Sequence, residues 1–150
     1  MPVQPNIIQV AWQQAESHLR EVRTKVFIEE QCVPPDLEWD ELDESARHLL
    51  VMNNASEPIA CARLLNNGSI GRMAVLKDWR GLGVGSALLK TAIELQQKQG
   101  AKIITLSAQL HAIAFYEKAG FAVSGQPYLD ANIPHVDMLL TLEKNQFFSL

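Results

Sequence analysis

A chain of 150 residues, 47% hydrophobic and 20% charged, is long enough to bury one core and too short for two, and this composition excludes a disordered or fibrous architecture. The formal charge of -4 at pH 7 argues against the broad basic face that non-specific nucleic-acid binding needs, so no nucleic-acid partner is expected. The two cysteines, Cys32 and Cys61, have neither CxxC spacing nor a matching histidine cluster, which excludes a zinc site and fits a reduced, cytoplasmic protein.

The first five residues carry no basic stretch ahead of an apolar one, and no apolar run approaches the roughly 20 residues of a membrane helix, so no membrane association is expected. Ile7, Ile8 and Val10 mark a short strand. Trp12, Ala15, Leu19, Val22 and Val26 then recur at spacings of three and four, which predicts an amphipathic helix ended by Pro34 and Pro35. Its outer face places Glu16 with Arg20 and Glu21 with Lys25, both in the favourable order for i,i+4 pairs. Residues 36–44 hold six carboxylates (Asp36, Glu38, Asp40, Glu41, Asp43, Glu44) and no basic residue. That stretch reads either as a solvated loop or as a negative field drawing a cationic substrate.

Strands at 48–52 and 59–65, bracketed by Asn53-Asn54 and Asn66-Asn67-Gly68, predict antiparallel hairpins, with a further strand at 70–76. From Val84 the period changes: Val84, Ala87, Leu88, Thr91, Ala92 and Leu95 share one helix face, and Gly100 supplies the stop. Residues 102–106 read as a buried strand, Ser107 as the cap of a helix reaching Ala119, and Gly120 as its stop before a strand at 121–123. Residues 136–142 close the sheet. The order describes an α+β fold around one mixed, largely antiparallel sheet flanked by about four helices, in a single domain spanning 1–150. No repeat or linker interrupts it.

The segment Arg80-Gly81-Leu82-Gly83-Val84-Gly85-Ser86 lies between a strand and the start of a periodic helix. Glycine lets backbone N–H groups converge there, and the helix start adds unpaired N–H groups and a positive dipole end, a combination suited to a diphosphate. Arg80 adds a fixed charge. A Walker A loop fails for want of its lysine. A dinucleotide fingerprint is weakened by Ser86 at its third glycine position and by Ala101-Lys102 where an acidic residue belongs. A glycine turn that merely packs a helix tightly on a sheet is the bland alternative.

The same segment matches the R/Q-x-x-G-x-G/A loop of the GNAT N-acetyltransferases, and residues 112–121, AIAFYEKAGF, resemble the helix and strand that follow it in that family. Residues 26–34 and Ile133-Pro134-His135 resemble its ElaA/YjcF-like branch in particular. The resemblance implies a three-layer fold whose sheet splays between strands near 70–76 and 102–107. It implies that acetyl-CoA, as acyl donor and without any metal, is held by Met73, Ala74, Val75, Arg80, Gly81, Leu82, Gly83, Val84, Gly85, Ser86, Gln109, Ala112, Phe115, Tyr116 and Lys118. Gln109 stands where the family often has Asn.

By the same resemblance a bulged strand at 72–75 supplies an oxyanion N–H, and Tyr116 protonates the departing thiolate. The acceptor is an unidentified primary amine of a small molecule or peptide, cationic if residues 36–44 draw it, and its proton is taken by Glu30, His135, Asp137 or a water relay. Direct transfer is the family norm, so Cys32 is not expected to carry an acyl group. A catalytically weak acyl-CoA sensor is the rival reading, and monomer and homodimer both stay open.

Overall fold

The computed structural model describes residues 5–142. β1 (Asn6–Ala11) runs directly into α1 (Trp12–Arg23), whose start is fixed by the Gln14 side chain accepting the Ala11 N–H at 2.7 Å. α1 buries Trp12, Ala15, Leu19 and Val22, the predicted stripe. Its outer face leaves Glu16 with Arg20 and Glu21 with Lys25 as exposed pairs, 2.8 and 3.1 Å apart. The α-helical path stops before the proline signal. At Thr24–Glu30 the chain widens into a π-helical turn, and Pro35 opens a separate helix, α2 (Pro35–Glu38), at the position where a missing N–H costs least.

β2 (Arg47–Met52), β3 (Pro58–Leu64) and β4 (Ile70–Val75) complete an antiparallel sheet ordered β1-β2-β3-β4. After α3 (Val84–Lys98) come β5 (Ile103–Gln109), α4 (Ile113–Lys118), β6 (Ala122–Val123), β7 (Tyr128–Asp130) and β8 (Ile133–Thr141). In this second antiparallel sheet β8 is central, with β5 on one side and β6 and β7 on the other. The two sheets meet at one parallel bridge, Ser69 to Thr105, beyond which β4 and β5 part. The expected splay is therefore a seam along which one sheet becomes two.

Packing on both faces explains the small residues of β3, which is buried along its whole length. Ala60, Ala62 and Leu64 meet Leu88 and Ala92 of α3, while Cys61 meets the cluster of Leu19, Val22 and Val26. Each fully buried leucine contributes about 1.5–3 kcal/mol.

Two expectations are corrected. Ser107 caps no helix: it lies in β5 opposite Asp137, because the alternation that buries Ile104, Leu106 and Ala108 carries the ladder on to Gln109. The acidic segment is not simply solvated. Arg23 binds Glu38 at 2.8 Å and Asp43 at 2.7 Å, and Arg63 binds Asp40 at 2.7 Å and Asp43 at 3.1 Å. Arg72 lies 3.2 Å from both Glu38 and Asp40. Buried carboxylates are tolerable only when so paired. Burial raises the Asp43 carboxyl, but hydrogen bonds and charge from Arg23 and Arg63 outweigh it and hold the group below its ordinary value. Asp36, Glu41 and Glu44 stay exposed.

Candidate functional site

The site begins with a fault in a ladder. Cys61 pairs with Ala74 and Arg63 with Gly71, so Arg72 and Met73 share the space opposite Ala62. Arg72 takes φ 46°, a left-handed conformation costly for a residue with a side chain. It is held there by its guanidinium, which donates to the Glu38 carbonyl at 2.9 Å and to Asp40 at 3.2 Å, and by its carbonyl, which lies 3.5 Å from the Cys61 thiol. Such a bulge takes main chain out of the ladder just where β4 leaves β5.

Past the end of β4, Gly81 and Gly83 adopt φ 76° and 87°. A Cβ at either would meet nothing within 4 Å, so these glycines serve backbone conformation and not tight packing. Gly85 differs: a Cβ there would touch Phe115 at 3.6 Å. The first α-helical bond of α3 is donated by Ala87 to the Gly83 carbonyl, so the N–H groups of Val84, Gly85 and Ser86 precede the helical ladder. Beside them Arg80 donates through Nε to the Val75 carbonyl at 2.9 Å, and its terminal nitrogens reach both oxygens of Glu30 at 2.7 Å. Hydrogen bonding from Arg80 holds the Glu30 carboxyl below its ordinary value.

Two cavities follow the seam. One, of about 700 Å³, is lined by Met73, Ala74, Val75, Arg80, Gly81, Gly83, Gly85, Ser86, Gln109, Ala112, Phe115 and Tyr116, together with Glu30. The other, of about 650 Å³, contains Arg72, Thr105, Ser107, His135 and Asp137. Gln31, Met73, Gln109, His111, Ala112 and Tyr116 line both, so the two form one slot. At the join Gln109 donates to the Gln31 side chain at 2.8 Å. Tyr116 is wedged edge-on against Phe115 and Phe121, and burial pushes its hydroxyl up to about 12. It therefore keeps its proton through neutral and mildly alkaline pH.

Of the residues predicted to hold the donor, Leu82, Val84 and Lys118 do not line the slot. Val84 points into the core, which leaves only its main chain for the role, and Leu82 and Lys118 are exposed.

In the second cavity His135 Nδ1 lies 2.6 Å from the Ile133 carbonyl. A carbonyl can only accept, so in the neutral ring Nδ1 carries the proton and Nε2 keeps a free lone pair. Tyr128 stacks on His135 with ring centres 6.2 Å apart and donates to Asp137 at 2.6 Å, while Ser107 hydrogen-bonds the Tyr128 hydroxyl. Sequence reasoning missed Tyr128. Its strand has three residues, too few to show alternation, and the turn that pairs it with β8 is Ala131-Asn132, at φ 52° and 64°, without the glycine that signals such hairpins.

Among the described residues no group of His, Cys, Asp and Glu could hold a metal ion, and no helix is long and apolar enough to cross a membrane.

Residues 13–142 match the model of the acetyltransferase (GNAT) domain. The chain is 37% identical over 122 residues to a Bacillus subtilis protein named uncharacterized N-acetyltransferase YjcF, covering 79% of this chain and 86% of that one. An acyl-CoA N-acyltransferase from Pseudomonas aeruginosa has the same fold at TM-score 0.83 and 28% identity, over 92% of this chain and 100% of that one. The crystal structure of Escherichia coli ElaA matches at TM-score 0.81 and 27% identity, over 91% and 99%.

Proposed function

The chain belongs to the GNAT acetyltransferase family, and we propose that it moves the acetyl group of acetyl-CoA directly onto a primary amine. The observation that carries this reading is the single slot running from the glycine turn, past Tyr116, to His135. In it the main-chain N–H groups at 84–86 and the Arg80 guanidinium take the diphosphate. The pantetheine arm enters the gap where β4 leaves β5, and the bulge at Arg72 and Met73 supplies an N–H to the thioester oxygen as it becomes an oxyanion.

The acceptor enters from the second cavity. His135 Nε2 takes one proton from the ammonium form of the amine, the freed nitrogen adds to the thioester carbon to give the tetrahedral oxyanion, and its collapse breaks the C–S bond. Tyr116, still protonated because burial raises it, gives its proton to the leaving thiolate and recovers one from the second proton shed by the new amide nitrogen. We assign the proton acceptor to His135 and not to Glu30, both of whose oxygens are engaged by Arg80.

The test is Tyr116→Phe, with thiol release and acetyl-CoA binding measured separately. Turnover should fall about 10²-fold or more while affinity changes less than twofold. Unchanged turnover would remove Tyr116 from the chemistry.

A further inference from the structure

The uncommitted charge of the acceptor cavity lies on the second sheet. Glu38, Asp40 and Asp43 are bound by arginines, and Arg72, the guanidinium in this cavity, is spent on the same segment. Asp130 and Asp137 also line the cavity, and among the described residues neither pairs with a cation.

Asp137 is the one built in. It follows His135 by two residues on β8, so both project from the same face roughly 7 Å apart, while Val136 between them turns into the core. A tyrosine has one hydroxyl proton. Since Tyr128 donates to Asp137, Ser107 must donate to Tyr128, and the chain of donors ends on the carboxylate. Stacking on His135 fixes the ring that delivers this bond. The carboxylate is thereby held at a set distance from the proposed proton acceptor, with its negative charge unneutralised. Phe27 and Val33, which line the same cavity, offer apolar surface for methylene groups.

We propose that Asp137, held by Tyr128 and Ser107, binds a second cationic group of the acceptor. The preferred acceptor is then an alkylamine carrying a further ammonium or guanidinium roughly 7 Å from the nitrogen that reacts at His135. This rests on the acyl-transfer reading of the slot.

The test follows thiol release from acetyl-CoA with pentylamine and with the five-carbon α,ω-diamine. Wild-type protein should favour the diamine about tenfold in kcat/KM, as expected for a charge-assisted hydrogen bond, and added salt should shrink that ratio. Asp137→Asn should collapse the ratio by raising KM for the diamine. Tyr128→Phe, which keeps the ring and loses the hydroxyl, should reduce it part of the way. A wild-type protein that treats the two amines alike, or an Asp137→Asn protein that keeps the preference, overturns the proposal. If the variant does not fold, the wild-type ratio and its salt dependence decide alone. Turnover of neither amine, with acetyl-CoA bound, instead sinks the acyl-transfer reading and this one with it.

Discussion

Replacing Glu30 by glutamine asks what the ion pair at the mouth of the slot does. Arg80 is anchored through Nε by the Val75 carbonyl, so its terminal nitrogens are the part left to grip a ligand, and Glu30 occupies both. A diphosphate that takes the same two N–H groups must displace that carboxylate. The Glu30 and Arg80 side chains are 38% and 40% exposed, which limits even a bidentate pair to about 1 kcal/mol. Glutamine keeps the volume and gives up the charge, so coenzyme A should bind up to about fivefold more tightly to the variant, the equivalent of that energy.

The pH dependence has a definite sign. The Glu30 carboxyl is lowered by its hydrogen bonds to Arg80, so the pair is intact above the ordinary carboxylate range and is lost as pH falls through the lowered value. The affinities of the two proteins should differ at pH 7 and converge only at a pH below the ordinary carboxylate range. Calorimetric titration with coenzyme A at both pH values checks this. An unchanged or weaker affinity at pH 7 would mean that Glu30 positions Arg80 for the ligand and does not compete with it.

Three further outcomes are expected. Arg23→Ala leaves buried Glu38 with only Arg72 and buried Asp43 with only Arg63 and should cost about 3–5 kcal/mol in urea unfolding, whereas a loss under about 1 kcal/mol would mean the network contributes little. His135→Gln should lower turnover about 10²-fold or more with acetyl-CoA affinity nearly intact, and retained turnover would return the proton-acceptor role to water or another group. A thiol reagent at pH 8 should modify exposed Cys32 and spare Cys61, whose thiol burial pushes up to about 12. Cys32→Ser should then react with no reagent and still turn over, and loss of turnover would point to an acyl-enzyme route.

What could be read before the structure, and what could not, divides by distance along the chain. The glycine turn was legible because φ values of 76° and 87° demand glycine at Gly81 and Gly83, whatever surrounds them. α3 was legible because its buried face repeats with the helical period. The partners of the acidic segment were not: Arg23, Arg63 and Arg72 lie 15 to 34 positions from the carboxylates they hold, and a count of local charge cannot see them.

Arg80 and Glu30, 50 positions apart, each suggested a role in isolation, and only their pairing shows that one occupies the other. His135 was reachable through a motif, whereas its free Nε2 follows from the Ile133 carbonyl, which lies against Nδ1. Ser107, Tyr128 and Asp137 meet only because β5 and β7 both flank β8. On the proposed reading, local geometry makes the cradle for the acyl donor, and contacts between distant strands make the wall that meets the acceptor. Exchanging residues on β7 and β8 should therefore change which amine is chosen and leave the grip on coenzyme A as it is.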